Sequence, residues 1–184
     1  QTFVGGGVSN TASGARSGVI AGMSNEVTGN YSAVIGGRDN TVSGFQSASI
    51  GGQNNVASGL NSAVVGGVGG TASGDHSAIL GGQQNTASGD HGAILGGVMN
   101  EVSEHQSAIL GGYGNSVSGI RSAIVGGDGN VASSRESVVI GGNNNTASSL
   151  YTAVIGGLGS TASGESSVVV GGDANEVSGI RSAI

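Results

Sequence analysis

The sequence predicts an all-β fold, a parallel β-solenoid of about twelve 15-residue coils with two short strands in each coil. Glycine pairs recur once in every repeat without a slip, from Gly36-Gly37 to Gly171-Gly172. Short runs of small and β-branched residues, which favour strands, precede each pair. The 184 residues include only two Phe, three Tyr and no Trp, so a core built from large aromatic side chains is excluded. The fold must therefore come from the stacking of similar units.

The repeating unit has two apolar runs separated by two variable pairs. We number its positions 1′ to 15′, so that Ser32–Gln46 is one copy and the consensus is S-A-V-I-G-G-x-x-N-x-A-S-G-x-x. Positions 1′ to 5′ and 9′ to 12′ have the length and composition of strands, and the variable positions 7′-8′ and 14′-15′ predict turns. Parallel coils spaced about 4.8 Å apart would form a rod roughly 55 to 60 Å long. We expect one repeat domain over residues 1–184, as a segment of a longer protein.

Glycine is fixed most strictly at position 6′. It stands there in all twelve copies, and at 5′ in all copies except the one with Ala21. This pattern predicts a positive φ at one of the two positions and a crowded neighbour at the other. Position 13′ is less strict, since Glu104, Ser134 and Ser149 replace glycine. The turn glycines predicted at 6′ are Gly37, Gly52, Gly67, Gly82, Gly97, Gly112, Gly127, Gly142, Gly157 and Gly172.

Asparagine recurs at position 9′ in ten of the twelve copies, with Gly70 and Ser160 as the interruptions. Stacked amides can bond to one another and to the backbone of a turn, so we predict a structural ladder. A surface facing glycan or ice is the alternative interpretation of such a row. The predicted ladder comprises Asn25, Asn40, Asn55, Asn85, Asn100, Asn115, Asn130, Asn145 and Asn175.

The two strands differ in their alternation. In strand two, position 11′ is Ala or Val, whereas 10′ and 12′ are mostly Thr and Ser, which is typical of a half-solvated strand. In strand one, positions 2′, 3′ and 4′ are all apolar, apart from Ser49 at 3′. We expect 3′ to form an exposed stripe that contacts partner chains. This predicted seam comprises Val19, Val34, Val64, Ile79, Ile94, Ile109, Ile124, Val139, Val154 and Val169.

Composition argues against several classes of function. The chain has no Cys and no Lys, and His76, His91 and His105 all fall in predicted corners, so we expect no catalytic, cofactor-binding or metal-ligating residues. Asp75 and Asp90 stand beside two of these histidines but complete no ligand set. The net charge of −6 disfavours nucleic acid. We also expect no direct membrane insertion by this segment, because it has no long apolar run.

The run Ser-Ala-Val-Ile-Gly followed by Asn-x-Ala-x-Gly resembles the YadA-like head repeats of trimeric autotransporter adhesins. The common unit of that family is one residue shorter, and the second glycine of each pair supplies the additional residue here. The resemblance implies a left-handed β-roll, a homotrimer, and adhesion to an extracellular protein, glycan or surface ligand. It also implies a location on the bacterial cell surface, with an outer-membrane anchor outside this segment. No ligand-binding residue is carried over.

The sequence leaves two other functions open. One is a purely structural segment of a phage tail fibre or an extracellular filament. The other is ice binding, because six copies carry Thr at 10′ two residues before Ser at 12′. Glu26, Glu101 and Glu176 interrupt that row with charge, and Val56 and Val131 replace two of its hydroxyls, which argues against ice binding.

Overall fold

The structure, a computed structural model, describes all residues 1–184 and confirms the parallel β-solenoid with two short strands per coil. It contains no helix that is long and apolar enough to cross a membrane. The strands are shorter than the apolar runs, since most have two residues and three have three. In chain order they are β1 (Phe3–Val4), β2 (Thr11–Ala12), β3 (Gly18–Val19), β4 (Glu26–Val27), β5 (Ala33–Val34), β6 (Thr41–Val42), β7 (Ala48–Ser49), β8 (Val56–Ala57), β9 (Ala63–Val64), β10 (Thr71–Ala72), β11 (Ala78–Ile79), β12 (Thr86–Ala87), β13 (Ala93–Ile94), β14 (Glu101–Val102), β15 (Ala108–Ile109), β16 (Ser116–Val117), β17 (Ala123–Ile124), β18 (Val131–Ala132), β19 (Val138–Ile140), β20 (Thr146–Ala147), β21 (Ala153–Ile155), β22 (Thr161–Ala162), β23 (Val168–Val170) and β24 (Glu176–Val177).

The strands form two parallel sheets of 12 strands each. Sheet 1 contains the odd-numbered strands, at positions 2′ and 3′, and sheet 2 contains the even-numbered strands, at 10′ and 11′. Each residue pairs with its equivalent in the next coil, as Thr71 does with Thr86. A third line of parallel bridges joins the 7′ residues, from Val8–Met23 to Leu158–Asp173. One predicted turn therefore also contributes to the stacking of the coils.

The core contains one side chain from each sheet in each coil. Position 3′ supplies Val or Ile from sheet 1, apart from the buried Ser49, and position 11′ supplies Ala or Val from sheet 2. Small and β-branched side chains fit this narrow interior without the large aromatic residues that the sequence lacks. The sheet 2 members of the core are Val27, Val42, Ala57, Ala72, Ala87, Val102, Val117, Ala132, Ala147, Ala162 and Val177.

The predicted exposed stripe at position 3′ is wrong. Within sheet 1 the 3′ side chains point inward and the 4′ side chains point outward, since Ile94 is 0% exposed and Leu95 is 47% exposed. Sequence alternation could not separate these positions, because both are aliphatic. The structure does expose an apolar row, but at 4′. The misplaced residues, all in the core, are Val19, Val34, Val64, Ile79, Ile94, Ile109, Ile124, Val139, Val154 and Val169.

Both constraints on the glycine pair act at position 6′, and in three coils the 5′ glycines Gly141, Gly156 and Gly171 also have positive φ. Gly97 has a φ of 87°, and a Cβ there would overlap the carbonyl oxygen of Gly112 in the next coil. By contrast, a Cβ on Gly96 at 5′ would have no atom within 4 Å, so the expected crowding at 5′ is wrong. The ten predicted turn glycines have φ between 82° and 96°: Gly37, Gly52, Gly67, Gly82, Gly97, Gly112, Gly127, Gly142, Gly157 and Gly172.

Positions 8′ and 15′ also adopt left-handed backbone conformations, although most of these residues are not glycine. Asp39 at 8′ has a φ of 56° and donates its N–H to the Met23 carbonyl of the preceding coil, at 3.0 Å. Tyr31 at 15′ has a φ of 59° and donates its N–H to the Ala15 carbonyl, also in the preceding coil, at 2.8 Å. Strand residues donate to the following coil instead. The left-handed residues thus bond the corners in both directions along the solenoid.

Candidate functional site

The outward side chains of sheet 2 form a surface rich in hydroxyl groups, which we call the hydroxyl face. It consists of the 10′ and 12′ side chains, on either side of the buried 11′ residue. Position 12′ is Thr28 in one coil and Ser in the other eleven. Position 10′ is Thr in six coils and Ser in one. The 10′ row reads Thr11, Glu26, Thr41, Val56, Thr71, Thr86, Glu101, Ser116, Val131, Thr146, Thr161 and Glu176.

The hydroxyl face is a regular grid, because the coils stack without an inserted residue. Neighbouring coils place equivalent side chains about 4.8 Å apart, and 10′ and 12′ lie about 6.7 Å apart along each strand. The Thr side chains are branched at Cβ, so few rotamers are available to them. Ser88 Oγ lies 3.5 Å from the Val102 carbonyl oxygen, at the limit of a hydrogen bond, so this hydroxyl can still bond to water.

The interruptions of the 10′ row are themselves periodic. Glu26, Glu101 and Glu176 stand five coils apart, and Val56 and Val131 have the same separation. The three Glu side chains are exposed. They divide the hydroxyl face into two uncharged blocks of four coils each. The blocks span the 10′ residues 41–86 and 116–161.

The valines interrupt the row less than the sequence suggested. Val56 pairs with Thr41 and with Thr71 in register and is half-buried, like both of these threonines. Valine has nearly the shape of threonine, with a methyl group in place of the hydroxyl. The contour of each block is therefore continuous, and only the glutamates break it.

The other outward surface is apolar, and we call it the aliphatic face. It consists of the 2′ and 4′ side chains of sheet 1 and carries no charged residue in any coil. Position 2′ is mainly Ala, and eleven coils have Ile, Leu or Val at 4′. The exposed 4′ residues are Ile20, Ile35, Ile50, Val65, Leu80, Leu95, Leu110, Val125, Ile140, Ile155 and Val170.

The asparagine row lies inside one corner and does not face a ligand. Asn100 donates from Nδ2 to the carbonyl oxygens of Gly96 at 3.2 Å and Gly112 at 3.0 Å, and its Oδ1 accepts the N–H of Asn115 at 3.0 Å. Each amide except that of Asn175, which bonds only to the Gly171 carbonyl oxygen, thus bonds to three backbone groups of the stack. Eight of the predicted residues are buried, namely Asn25, Asn40, Asn55, Asn85, Asn100, Asn115, Asn130 and Asn145, and Asn175 is half-buried.

The histidines lie on exposed corners. The rings of His76 and His91 stack with centroids 4.8 Å apart. The carboxylate of Asp75 accepts the N–H of Leu60 at 3.0 Å, and that of Asp90 accepts the N–H of Asp75 at 3.1 Å. These carboxylates bond to backbone groups of neighbouring coils. No group of three or more His, Asp or Glu side chains converges as a metal site would require.

The chain is similar to a known protein family. The family described as grass antifreeze beta roll matches residues 1–96 of the 184-residue chain, which is just over half of it. No curated protein matches the chain.

This match overturns the resemblance to YadA-like heads and the adhesive function inferred from it, together with the alternative of a purely structural fibre. The motif behind the resemblance, a serine and aliphatic residues ending in glycine, meets general requirements of stacked parallel coils: a buried hydroxyl, a branched core residue and a glycine corner. Different β-roll families can meet these requirements in the same way. With its residues 1–96 matched and its β-roll architecture established, the chain belongs to the grass antifreeze β-roll family.

Proposed function

We propose that this protein binds ice through its hydroxyl face and thereby restrains the growth of ice crystals. The observation that carries the proposal is the in-register stacking of the 10′ and 12′ side chains on sheet 2, in a chain of the antifreeze β-roll family. Ice is a periodic crystal of hydrogen-bonded water, so a protein surface that binds it must also be periodic over many contacts. The hydroxyl face has this property, since it repeats every coil along the rod.

Rigidity supports the same proposal. A single hydroxyl competes with liquid water and contributes little net free energy, so binding requires many groups that are already in place. Here the backbone of every coil is bonded to its neighbours, and the buried asparagine ladder fixes the corner that precedes sheet 2. The hydroxyl groups therefore lose little conformational freedom when they meet an ordered surface.

The alternative location is the aliphatic face, which is equally periodic. Its side chains carry no hydrogen-bonding group, so it cannot anchor the water molecules of an ice surface directly. The hydroxyl face combines methyl groups and hydroxyls in the same rows. We therefore assign ice binding to sheet 2.

A pair of charge substitutions tests the assignment. Thr86→Lys places an ammonium group and a long side chain inside the first uncharged block, and Gln83→Lys places the same group on the exposed 7′ corner of the same coil. We expect Thr86→Lys to abolish most thermal hysteresis and most inhibition of ice recrystallisation, and Gln83→Lys to leave both at the wild-type level. An unmodified chain without either activity would contradict the proposed function. Equal loss in both variants would contradict the assignment to sheet 2.

A further inference from the structure

The aliphatic face is too large and too apolar to be explained as ordinary surface. Its 4′ side chains are between 41% and 62% exposed and run the length of the solenoid without a charged neighbour at 2′. Contiguous apolar patches beyond a few hundred Å² normally mark an interaction site. Neither the packing of the core nor ice binding by the hydroxyl face requires this apolar surface.

We propose that the aliphatic face packs against the same face of a second copy of this chain, in an antiparallel dimer with its two-fold axis at Leu95. The order of the 4′ residues is the main argument, because it is nearly a palindrome about Leu95. From the centre outward, the pairs at equal distance from Leu95 are Leu80 and Leu110, Val65 and Val125, Ile50 and Ile140, Ile35 and Ile155, and Ile20 and Val170.

A palindrome gives an antiparallel two-fold contact matching side chains on its two sides. In such an interface residue i of one copy contacts residue j of the other, and j contacts i. With the axis along the strand direction at Leu95, each coil faces the coil at the same distance beyond the axis. The partners then have the same side chain in four of the five pairs, and the fifth pairs Ile20 with Val170. The Leu95 side chains of the two copies meet at the centre.

Position 2′ fits the same axis. Most coils have Ala there, and the three larger residues fall opposite small ones, with Val138 facing Ala48, Val168 facing Gly18 and Phe3 facing Ala183. No pair at 2′ therefore places two large side chains against each other.

The palindrome is not a by-product of sequence duplication. The 10′ row repeats by a translation of five coils, so that Glu26 corresponds to Glu101. The same translation applied to the 4′ row converts Ile20 into Leu95 and Leu80 into Ile155. The two outward faces therefore follow different symmetries, and only the aliphatic face follows the symmetry of a two-fold contact.

The corner beside sheet 1 is compatible with the antiparallel arrangement. At position 15′ the proposed axis places the exposed Tyr31 opposite Tyr151 of the second copy, and it places Arg121 opposite Asn61. The axis therefore places none of the three arginines at 15′ opposite another arginine.

The available area exceeds the roughly 1,000 Å² expected of a biological interface. A face about 55 Å long and about 10 Å wide gives a total interface on the order of 1,100 Å², which is above the size of most crystal contacts. The hydroxyl faces would lie on opposite outer sides of the dimer, so each could bind ice separately. The dimer does not depend on the ice-binding proposal, and its test does not involve ice.

The first test is the molar mass in solution. At micromolar concentration we expect light scattering to give twice the 17.4 kDa chain mass for the unmodified chain and for Gln83→Lys, and a single chain mass for Leu95→Lys, which opposes two ammonium groups at the axis. A circular dichroism spectrum and melting curve like those of the unmodified chain would show that Leu95→Lys is folded. A monomeric unmodified chain, or a mass of three chains, would overturn the proposal.

The second test measures the register, and it does not require a variant that dissociates. The chain contains no cysteine, so single thiols can be introduced on a clean background. A short bismaleimide should crosslink Leu95→Cys with itself, and it should crosslink Val65→Cys with Val125→Cys when the two are mixed. Val65→Cys alone should remain uncrosslinked, since its two thiols would be four coils, or about 19 Å, apart. Efficient crosslinking of Val65→Cys with itself would overturn the antiparallel register.

Discussion

The side-chain oxygen of Asn55 accepts the backbone N–H of Gly70 at 2.9 Å, but Gly70 has no side chain with which to continue the bonding to Asn85. Gly70 is therefore a gap in an otherwise regular column of amides. A Cβ at this residue would lie 3.2 Å from Asn55 Oδ1 and 3.5 Å from Val64 Cγ1, so a small local adjustment would admit a side chain.

We expect Gly70→Asn to stabilise the protein by about 1 kcal/mol, because the new amide can accept the N–H of Asn85 and donate to corner carbonyls. Gly69→Asn is the matched control. Gly69 has a φ of 67° in the neighbouring 8′ position, where Asn54 and Asn144 occur in other coils, so that change should be nearly neutral. Thermal unfolding of both variants checks this prediction. An unchanged or lower stability of Gly70→Asn would contradict the role given to the ladder.

Ser49 and Ser47, two residues apart in the same coil, differ in whether their hydroxyl groups form hydrogen bonds. The Ser49 hydroxyl is buried in the core at position 3′ without a hydrogen-bond partner, whereas the Ser47 hydroxyl donates to the Gly59 carbonyl oxygen at 2.7 Å. We expect Ser49→Val to raise stability by about 1 to 2 kcal/mol, since it removes an unpaired polar group and adds apolar contacts. Ser47→Ala should lower stability by about 1 kcal/mol. Chemical denaturation should show these opposite signs, and a loss of stability in both variants would contradict the distinction.

The glycine pair allows a test with adjacent residues. Gly97→Ala puts a Cβ against the Gly112 carbonyl oxygen at a φ of 87°, and we expect a loss of about 3 kcal/mol. Gly96→Ala should cost little, because its Cβ points into open space. Melting temperatures of the two variants give the comparison. Equal effects would mean that position 6′ is not the constrained corner.

Ile94 and Leu95 test which side of sheet 1 is the interior. We expect Ile94→Ala to destabilise the chain by about 2 to 5 kcal/mol, because it removes a fully buried side chain from a close-packed core. Leu95→Ala should change the stability of the isolated chain by less than about 1 kcal/mol, since Leu95 is largely in contact with solvent there. Denaturation of dilute samples separates this effect from any dimer. A larger loss for Leu95→Ala would reverse the assignment of the two sides.

The repeat period predicted the fold almost completely, because a fixed spacing without insertions leaves few ways to pair the coils. It could not predict which apolar row of strand one is buried, since Ile94 and Leu95 are equally hydrophobic and only the closed shape of the coil distinguishes them. The left-handed residues at 8′ were also missed. Asp39, Asn54 and Gly69 are residue types that favour this conformation, and that enrichment was the available signal.

The function was harder to predict than the fold. In the sequence alone, Glu26, Glu101 and Glu176 argue against an ice-binding row, because charge interrupts the threonines. On sheet 2, however, the regular separation of the glutamates leaves two uncharged blocks. Within each block the surface is continuous, because Val56 has nearly the same shape as Thr41. The family match then supports the function that composition disfavoured.

Glu101 separates the two uncharged blocks of the hydroxyl face. Glu101 lies in register between Thr86 and Ser116 on sheet 2. Replacing it by threonine would join the four coils of each block into a continuous surface of nine coils, from the 10′ residues 41 to 161. Because binding by many linked groups strengthens steeply with the number engaged at once, we expect Glu101→Thr to raise thermal hysteresis on the order of twofold at equal concentration.

Glu165→Thr is the control for this change, because it alters the net charge equally but on an exposed 14′ corner. It should leave thermal hysteresis unchanged. If Glu101→Thr had no effect, the two blocks would have to bind independently. If thermal hysteresis increased equally in both variants, net charge rather than continuity of the hydroxyl face would control adsorption to ice.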